Sequence, residues 1–243
     1  MATTITISNT LAWIYAFLVG RPTTGVGGFA NEPGLTSANF IMQTILAPPF
    51  KWEWNRKRAL TAITTVPGTS DYTIALTDYG WLEKATLVNP NPVGAEAPNH
   101  ELEIYEVLAK EGKKNRPDKI AVLLDDNAGN ITFRLFPVPD KIYTVDLDYQ
   151  KAPILASVLT TTWAPIPDKL AFLYEQGLKA QMQGMYNVQL YLAGMEMFYR
   201  QLVAAAEGLS EMEKAIFLED SLRIARTRTA ELTSTQQGKQ ARS

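Results

Sequence analysis

Apolar and polar residues alternate along the middle of the chain, whereas apolar residues recur every three or four positions towards both ends. The clearest alternation occupies residues 131–135 and 143–149, where every second side chain is apolar. A period of two is typical of half-buried strands, and we expect these two to be antiparallel. Pro137 and Pro139 lie between them and cannot donate ladder hydrogen bonds, which predicts a tight turn. The two strands and this turn form the predicted central hairpin.

Helical spacing begins directly after a proline-rich linker at residues 163–168. Residues before proline avoid the helical region, so the linker is expected to be extended, with Asp168 capping the first free N–H groups of a helix. Two apolar stripes follow, over residues 170–185 and 191–205, with a break near Asn187 and with Gly208 closing the second helix. A capping box at residues 210–213 predicts a third helix, which ends near residue 228.

Two further helices are predicted before the β region. Residues 11–19 form the longest apolar run, which is well short of the roughly 20 residues that a membrane helix needs. No Lys or Arg precedes this run, so it does not match a signal peptide, and we expect a buried helix in a soluble, intracellular protein. A second helix is predicted around residues 40–45, after a glycine-rich loop at residues 21–34.

The β region is predicted to start with an alternating strand at residues 50–55, in which Phe50, Trp52 and Trp54 face one side. Further strands are predicted at residues 58–66, 72–76, 81–88 and 120–124, while residues 101–114 fit either a short helix or a strand end. Because two helices alone cannot bury their apolar faces, we expect the first two to pack against the later ones. The chain is therefore predicted to be α+β, a discontinuous helical bundle from both chain ends with an inserted, mostly antiparallel β domain. The predicted boundaries are 1–48 and 164–228 for the helical domain, 49–163 for the β domain, and 229–243 for a flexible basic arm.

Composition limits the chemistry that the chain can perform. A hydrophobic content of 46% and a charged content of 20% are ordinary for a folded globular protein, and a net charge of −2 gives no general attraction to nucleic acid or anionic membranes. The absence of cysteine excludes disulfides, thiolate nucleophiles and cysteine-based zinc sites. The only histidine is His100, expected in an exposed loop, and a single histidine without cysteine does not make a usual zinc site. We expect no catalytic residue, no metal and no cofactor.

Other motifs have a structural and a functional interpretation. The glycines at residues 25–28 lack the pattern of a phosphate-binding loop, and residues 125–130 fit a hairpin turn better than a calcium loop. Asp146 and Asp148 lie on the polar face of a strand. Their structural interpretation is a solvated or interface face, and their functional interpretation is the catalytic carboxylate pair of a glycosidase. Trp52, Trp54 and Trp81 are either core residues or a platform that stacks on sugars.

One charge asymmetry distinguishes the end of the given sequence. From residue 222 to residue 243 there are five basic residues and one acidic residue, so this segment has a net charge of +4 and the rest of the chain −6. A basic segment with few apolar residues is typical of an arm that orders on a partner, although a frayed terminus has the same composition.

The order of these features resembles that of the head-to-tail connector proteins of tailed bacteriophages, the adaptor or tail-tubular-A-like group. The resemblance covers most of the chain and rests on structural motifs, not on a catalytic signature. These motifs are the first helix with Gly20-Arg21-Pro22, residues 48–56, 70–72 and 133–140 with Tyr143, and residues 163–168 before the paired helices.

This resemblance implies a non-enzymatic structural protein of the virion neck, assembled in the host cytoplasm. It implies a ring of twelve copies under the portal protein, with a tail, nozzle or stopper protein below and genomic DNA passing through the lumen without specific binding. The residues expected to dock on the portal are Leu222, Arg223, Arg226 and Arg228. The residues expected in a subunit interface or in the core are Trp13, Trp52, Trp54 and Trp163. Two alternatives from other classes are a tail or baseplate carbohydrate-binding module that uses the tryptophans, and a phage-borne cell-wall hydrolase that uses a carboxylate pair.

Overall fold

The structure is a computed structural model that describes residues 3–19, 33–89, 98–106, 112–126, 128–184, 187–206 and 208–240, with the backbone alone at 16–19 and 228–240. Contacts divide the chain into two compact units. The helical unit comprises Met1–Lys51 and Pro153–Ser243, and the β unit comprises Trp52–Ala152. The glycine-rich segment 21–32 lies outside the described residues, so the expectation of a flexible loop there stays a prediction.

The described part of the β unit contains nine strands in two sheets. The strands are β1 (Arg56–Thr64), β2 (Asp71–Ala75), β3 (Tyr79–Val88), β4 (Asn99–Tyr105), β5 (Lys114–Asn115), β6 (Lys119–Asp125), β7 (Asn130–Phe136), β8 (Val138–Pro139) and β9 (Thr144–Lys151). Seven of them form one sheet in the order β1-β9-β3-β4-β6-β7-β2, and β5 pairs with β8. All pairs are antiparallel except β4 with β6 and β5 with β8. The edge strands β1 and β2 also contact each other, so the sheet is nearly closed, and the predicted α+β class with mostly antiparallel strands is confirmed.

Alternating side chains fill the interior of this sheet. Phe133, Tyr143, Val145 and Tyr149 are fully buried, as the period of two predicted. Tyr79 completes the aromatic centre, with its ring centroid 6.0 Å from that of Phe133 and 5.5 Å from that of Tyr149.

The predicted central hairpin is wrong, because β7 and β9 do not pair with each other. β7 lies between β6 and β2, whereas β9 lies between β1 and β3. The segment between them finds other partners: the Val138 N–H donates to the Lys113 carbonyl at 3.0 Å, and the Tyr143 N–H donates to the Thr65 hydroxyl at 2.7 Å. The alternation therefore identified both strands but not their neighbours.

The predicted strand at residues 50–55 is also wrong, since none of these residues lies in a strand and residues 53–55 form a turn. The Asn55 N–H donates to the Trp52 carbonyl at 3.0 Å, and the Asn55 side-chain amide donates to the Lys151 carbonyl at 3.0 Å. Asn55 is fully buried, so these hydrogen bonds replace those that water would otherwise supply. Trp52 and Trp54 belong to this turn, whereas Phe50 belongs to the helical unit.

Five helices lie in the described part of the helical unit: α1 (Ile7–Val19), α2 (Gly34–Leu46), α3 (Ala171–Gly184), α4 (Val188–Ala205) and α5 (Glu211–Gln240). α3 contacts α1, α2 and α4, and α5 contacts α4. A Cβ atom at Gly177 of α3 would lie 2.8 Å from Ile41 of α2 and 3.0 Å from Phe198 of α4. α2 and α4 therefore meet the same point of α3.

Helix ends follow the predicted signals in most places. The Asn187 side chain accepts from the Gln189 N–H at 2.8 Å, and Gly208 has φ +79° beyond the end of α4. The predicted capping box is confirmed, because the Ser210 N–H donates to Glu213 at 2.8 Å and the Glu213 N–H donates to the Ser210 hydroxyl at 3.3 Å. α5 does not end near residue 228 as predicted, since the proline-free sequence beyond it lets the helix continue to Gln240.

Asp168 does not cap the following helix as predicted. It opens a short 3₁₀ helix, Asp168–Leu170, and its carboxylate accepts the Thr4 N–H at 2.9 Å, the Thr4 hydroxyl at 2.7 Å and the Ile5 N–H at 3.4 Å. The reason is that the segment before α1 pairs with the segment before Asp168. The Trp163 N–H donates to the Ile5 carbonyl at 3.2 Å, which brings the Thr4 and Ile5 donors close to Asp168. Asp168 thus fastens the segment before α1 to the start of α3.

This contact makes the segment before α1 sensitive to acid. The Thr4 hydroxyl and the Thr4 N–H lower the pKa of Asp168 below its ordinary value. A lowered pKa means that the stabilisation is complete above the unfolded pKa of about 4 and is lost as the pH falls through the lower folded value. We expect Asp168→Ala to increase amide hydrogen exchange at Ile5 at pH 7, and the difference from the parent to shrink at acid pH. Asp118→Ala, an exposed carboxylate in the β unit, is the control, and equal differences at both pH values would contradict this assignment.

Candidate assembly surfaces

The first half of α5 is anchored by an aromatic cluster within the helical unit. The Phe217 ring lies edge-on to Phe50, with centroids 4.6 Å apart, and 6.3 Å from the ring of Tyr199 on α4. Ser221 and Ala225 are buried on the same side of α5. Edge-to-face aromatic contacts contribute about 0.5–1.5 kcal/mol beyond the area that they bury. One side of α5 is therefore fixed, and its opposite side faces solvent.

The solvent side of α5 carries both apolar and basic residues. Met212 is 74% exposed and Ile216 is 54% exposed, and further along Ile224 is 63% exposed between the exposed Arg223 and Arg226. Arg223 donates from Nη2 to Asp220 at 3.0 Å, an exposed pair within one helix that contributes little to stability.

The predicted docking residues therefore differ in their exposure. Leu222 is half-buried, and Arg223 and Arg226 are exposed. Arg228 lies in α5, and its side chain is outside the description. Docking by these residues stays a prediction.

A groove separates α4 from α5 and has a volume of about 400 Å³. Its walls combine aliphatic side chains with charged ones, and its lining residues are Arg200, Val203, Ala204, Glu211, Lys214, Ala215 and Leu218. Lys214 pairs with Glu211 at 2.9 Å, and Arg200 pairs with Glu196 at 2.8 Å, so these cations already have partners.

α4 is apolar on both of its sides. Tyr191, Met195, Phe198 and Leu202 are buried towards the helical unit. The exposed residues on the other side recur at intervals of three or four positions, and they are Leu190, Ala193, Met197, Arg200 and Ala204. We call the four apolar residues among them the α4 seam. A surface helix typically has one apolar stripe, which faces the core, so a second and exposed apolar stripe distinguishes α4.

A second set of exposed apolar residues lies in three segments without charge. The described residues 3–19, 33–50 and 153–167 contain no Asp, Glu, Lys, Arg or His. We call these three segments together the uncharged face. Its exposed large apolar residues are Trp13 (50%), Ile154 (68%), Leu155 (51%) and Val158 (48%).

The uncharged face is held in place by polar contacts. The Asn39 side chain of α2 donates to the Ala156 carbonyl at 3.0 Å and accepts the Ala156 N–H at 2.8 Å. The Ser8 N–H of α1 donates to the Leu159 carbonyl at 2.9 Å. The loop that carries Ile154, Leu155 and Val158 is thus fastened to both α1 and α2.

The four tryptophans predicted for an interface or the core lie in different settings. Trp163 is fully buried, stacks on Tyr174 with a centroid distance of 4.4 Å, and donates from Nε1 to the Thr10 hydroxyl at 3.0 Å. Trp52 is buried, and the half-buried Trp54 lies 5.5 Å from it, between ring centroids. Trp13 is not a core residue, because its position on α1 faces away from the buried Leu11 and Ile14. An interface role for Trp13 stays a prediction.

The residues considered for catalysis or ligands have structural contacts. Asp146 accepts the Thr61 N–H at 2.7 Å, and Asp148 pairs with Arg58 at 3.2 Å, which gives each carboxylate a role in joining β9 to β1. Burial of Trp52 removes it from any exposed sugar platform. His100 lies in β4, not in a loop as expected, and it is exposed.

The acidic segment before β7 forms a hairpin turn. Asp126 accepts the Ala128 N–H at 2.8 Å and the Asn130 N–H at 2.9 Å, and hydrogen bonds from Asn130 are the main reason that its pKa is lowered. Over the described residues, no group of three or more His, Cys, Asp or Glu side chains is placed to hold a metal ion. The helices in the described part of the chain include none with the length and apolar character needed to span a membrane.

Sequence reasoning missed the α4 seam and the loop of the uncharged face. Both had a signal: the seam residues recur at the spacing of one helical face, and residues 153–167 form an unusually long run without charge. The apolar stripe on the buried side of α4 was the stronger signal, so the weaker apolar stripe on the opposite side was not recognised.

Comparison with known proteins shows where this architecture occurs. The family model described as SU10 adaptor protein matches residues 46–236, which includes the whole β unit and helices α3 and α4. No curated protein matches the chain. Since the matched segment covers more than half of the sequence, the chain belongs to the SU10 adaptor protein family, a family of phage head-to-tail adaptors.

Proposed function

We propose that this protein is a structural, non-enzymatic component of the virion neck that forms a closed ring of twelve copies beneath the portal. In this role it links the capsid to the tail, binds a tail, nozzle or stopper protein below, and lets genomic DNA pass through its lumen without specific binding. The observation that carries the proposal is the match to the adaptor family over residues 46–236.

Exposed apolar surface on the helical unit supports self-assembly. Both the α4 seam and the uncharged face expose large apolar side chains, among them Met197 at 51% and Ile154 at 68%. Apolar side chains that are exposed close together along one element are suited to contacts with another protein, where large contiguous apolar patches occur. In our proposal the helical unit, which is built from both ends of the chain, acts as one assembly domain, and the β unit is inserted into it.

Charge supports a separate contact with the portal. The segment 222–243 has a net charge of +4 on a chain whose net charge is −2, and the described arginines within it face solvent. In the proposal, Leu222, Arg223, Arg226 and Arg228 dock on acidic portal surface, and the basic segment beyond them, in which α5 continues to Gln240, extends this contact. The net negative remainder lets DNA slide past without sticking.

Native mass spectrometry and negative-stain imaging test this function. We expect the purified protein, alone or mixed with purified portal, to give rings of one closed stoichiometry that cap the portal. A glycan-binding assay and a peptidoglycan-hydrolysis assay in parallel separate the two alternatives. A monomer that never binds portal, or binding of glycans by that monomer, would contradict the adaptor role.

A further inference from the structure

Strand β1 stands at one end of the seven-strand order, so one of its two edges has no strand paired to it. Among the described residues β1 pairs with β9 alone, and β2, at the other end of the order, pairs with β7 alone. β1 contacts β2, but the two strands do not pair, and β2 has five residues against nine in β1. The edge of a strand presents N–H and C=O groups with which a strand of another molecule can pair.

The two halves of β1 differ in charge. The first half consists of Arg56, Lys57 and Arg58, which are all exposed and form ion pairs within the β unit. Residues 59–66, by contrast, contain no charged residue, no glycine and no proline, and five of these eight residues are β-branched. Segments of this composition tend to pair with copies of themselves, and charged side chains on an edge strand oppose such pairing. The second half of β1 therefore lacks the protection by charge that the first half has.

This uncharged half carries a bulge. Ala59 lies opposite Leu147 and Ile63 lies opposite Val145, so the three residues 60–62 lie opposite the single residue Asp146. We call residues 60–62 the β1 bulge. A bulge bends its strand and interrupts the regular ladder of hydrogen bonds.

The backbone of the β1 bulge is held in an unfavourable conformation. Thr61 has φ +51°, in the left-handed region that a β-branched residue rarely adopts. Its N–H donates to the Asp146 carboxylate at 2.7 Å, so a side chain takes the place of a ladder carbonyl. The bulge is thus fixed by a specific contact from β9 and is not a loose end of the strand.

Core packing does not account for most of the β1 bulge. Leu60 is 67% exposed and Thr61 is exposed, and only Ala62 packs against the core. The register before and after the bulge differs by two residues, so the residues on both sides of it keep the same face towards the interior. A strand that lacked two of these residues would keep the alternation of buried and exposed positions intact. The reason for the bulge therefore lies at the open edge.

We propose that the β1 bulge is an edge guard, which prevents β1 of one copy from pairing with β1 of a second copy. Native proteins protect open edges with charges or with bulges, and β1 uses charges over residues 56–58 and the bulge over the uncharged half. The excluded partner is a second copy because an uncharged, β-branched segment matches itself in an antiparallel pair. The edge guard acts on the free protein, so it does not depend on a ring or on a portal.

Deleting Leu60 and Thr61 together from the full-length protein tests the edge guard. Because the two registers differ by two residues, the deletion brings both halves of β1 into one continuous register. We expect a folded protein that melts no lower than the parent. The concentration at which half of it associates should fall at least about tenfold, since several cross-strand pairs form at once. Size-exclusion chromatography with light scattering measures association, at concentrations below those at which the parent assembles.

Hydrogen exchange shows whether β1 is the surface that associates. In the deletion variant, protection of the β1 amides is expected to rise with protein concentration, whereas in the parent it should stay constant over the same range. Adding Thr64→Lys to the deletion variant should restore the behaviour of the parent, because Thr64 is exposed and a lysine protects an edge strand. Two matched controls keep the bulge and should behave like the parent. Thr61→Gly removes only the backbone strain, and Leu60→Ser removes only the exposed apolar side chain.

Each other outcome overturns the edge guard. A folded deletion variant that associates no more than the parent shows that the bulge guards nothing. Association that Thr64→Lys does not reverse, or new protection outside β1, shows that a different surface is responsible. If this deletion and the alternative deletion of Thr61 with Ala62 both unfold, the bulge is required by the fold itself. The adaptor role stands in all of these cases, since it is measured separately with portal.

Discussion

Replacing Trp163 with alanine is expected to lower the free energy of unfolding of the helical unit by about 3–5 kcal/mol, the range for removing a buried large aromatic side chain. Trp163 is fully buried, and its ring stacks on Tyr174 of α3 at a centroid distance of 4.4 Å and an interplanar angle of 5°. Its Nε1 also donates to the Thr10 hydroxyl of α1 at 3.0 Å. One side chain thus joins α1 to α3, so its loss leaves a cavity where the two helices meet.

Chemical denaturation followed by circular dichroism at helix wavelengths measures this effect. Trp163→Phe separates the contributions, because it keeps an aromatic ring near Tyr174 and loses only the hydrogen bond and part of the volume, so we expect a smaller loss. Trp54→Ala is the matched control, since Trp54 is a half-buried tryptophan of the β unit. If Trp163→Ala unfolds within about 1 kcal/mol of the parent, the stack does not hold the helical unit together.

The sequence predicted those parts of the fold that depend on local periodicity. Strand residues such as Val145 and Tyr149 and the buried stripe of α4 were correct, because burial on one side of an element follows directly from its period. Asn187 and the capping box of Ser210 with Glu213 were also correct, since these caps use hydrogen bonds between residues two or three positions apart.

The errors share a physical cause, which is competition from partners distant in sequence. The predicted pairing of β7 with β9 was wrong because the neighbours of a strand depend on all strands of the sheet. In the structure β9 pairs with β1 and β3. The Asp168 carboxylate accepts a hydrogen bond from Thr4, 164 positions away, and does not cap the helix that follows it. For the assembly surfaces, the apolar run around Trp13 predicted burial, but among the described side chains of α1, residues 7–15, those on one side are buried and Trp13 is 50% exposed. Exposure is decided by packing, which the sequence pattern of a single helix does not contain.

The basic segment of α5 has a geometry suited to a second large effect. Arg223 and Arg226 are exposed, whereas Ser221 and Ala225 are buried on the opposite side of the helix. The guanidinium group is always charged and presents a planar fork that binds carboxylates through two hydrogen bonds. Arg223 uses one of its donors on Asp220 at 3.0 Å, an exposed contact that a stronger acidic partner can replace.

Changing Arg223, Arg226 and Arg228 together to Glu is expected to weaken binding to the portal by at least about a hundredfold, since pairs between close charges at interfaces couple by about 1.5 kcal/mol or more each. The stability of the monomer should change by no more than about 0.5 kcal/mol at each of the exposed sites Arg223 and Arg226, because exposed substitutions away from caps and cores are nearly neutral. The loss should be greater at low salt, where repulsion between the new carboxylates and an acidic partner is screened least. Pull-down and titration calorimetry with purified, DNA-free portal measure both effects.

The matched control is the triple change of Lys84, Lys113 and Lys114 to Glu, which alters the net charge by the same amount on exposed positions of the β unit. If the loss came from net charge alone, the control would weaken portal binding equally. If the arginines instead contact DNA phosphates in the lumen, the α5 variant would bind DNA-free portal like the parent, and the docking role would be refuted. Selective loss with the α5 variant, steeper at low salt and absent in the control, is the result that docking through these arginines requires, because only contacts made by α5 itself distinguish the two proteins.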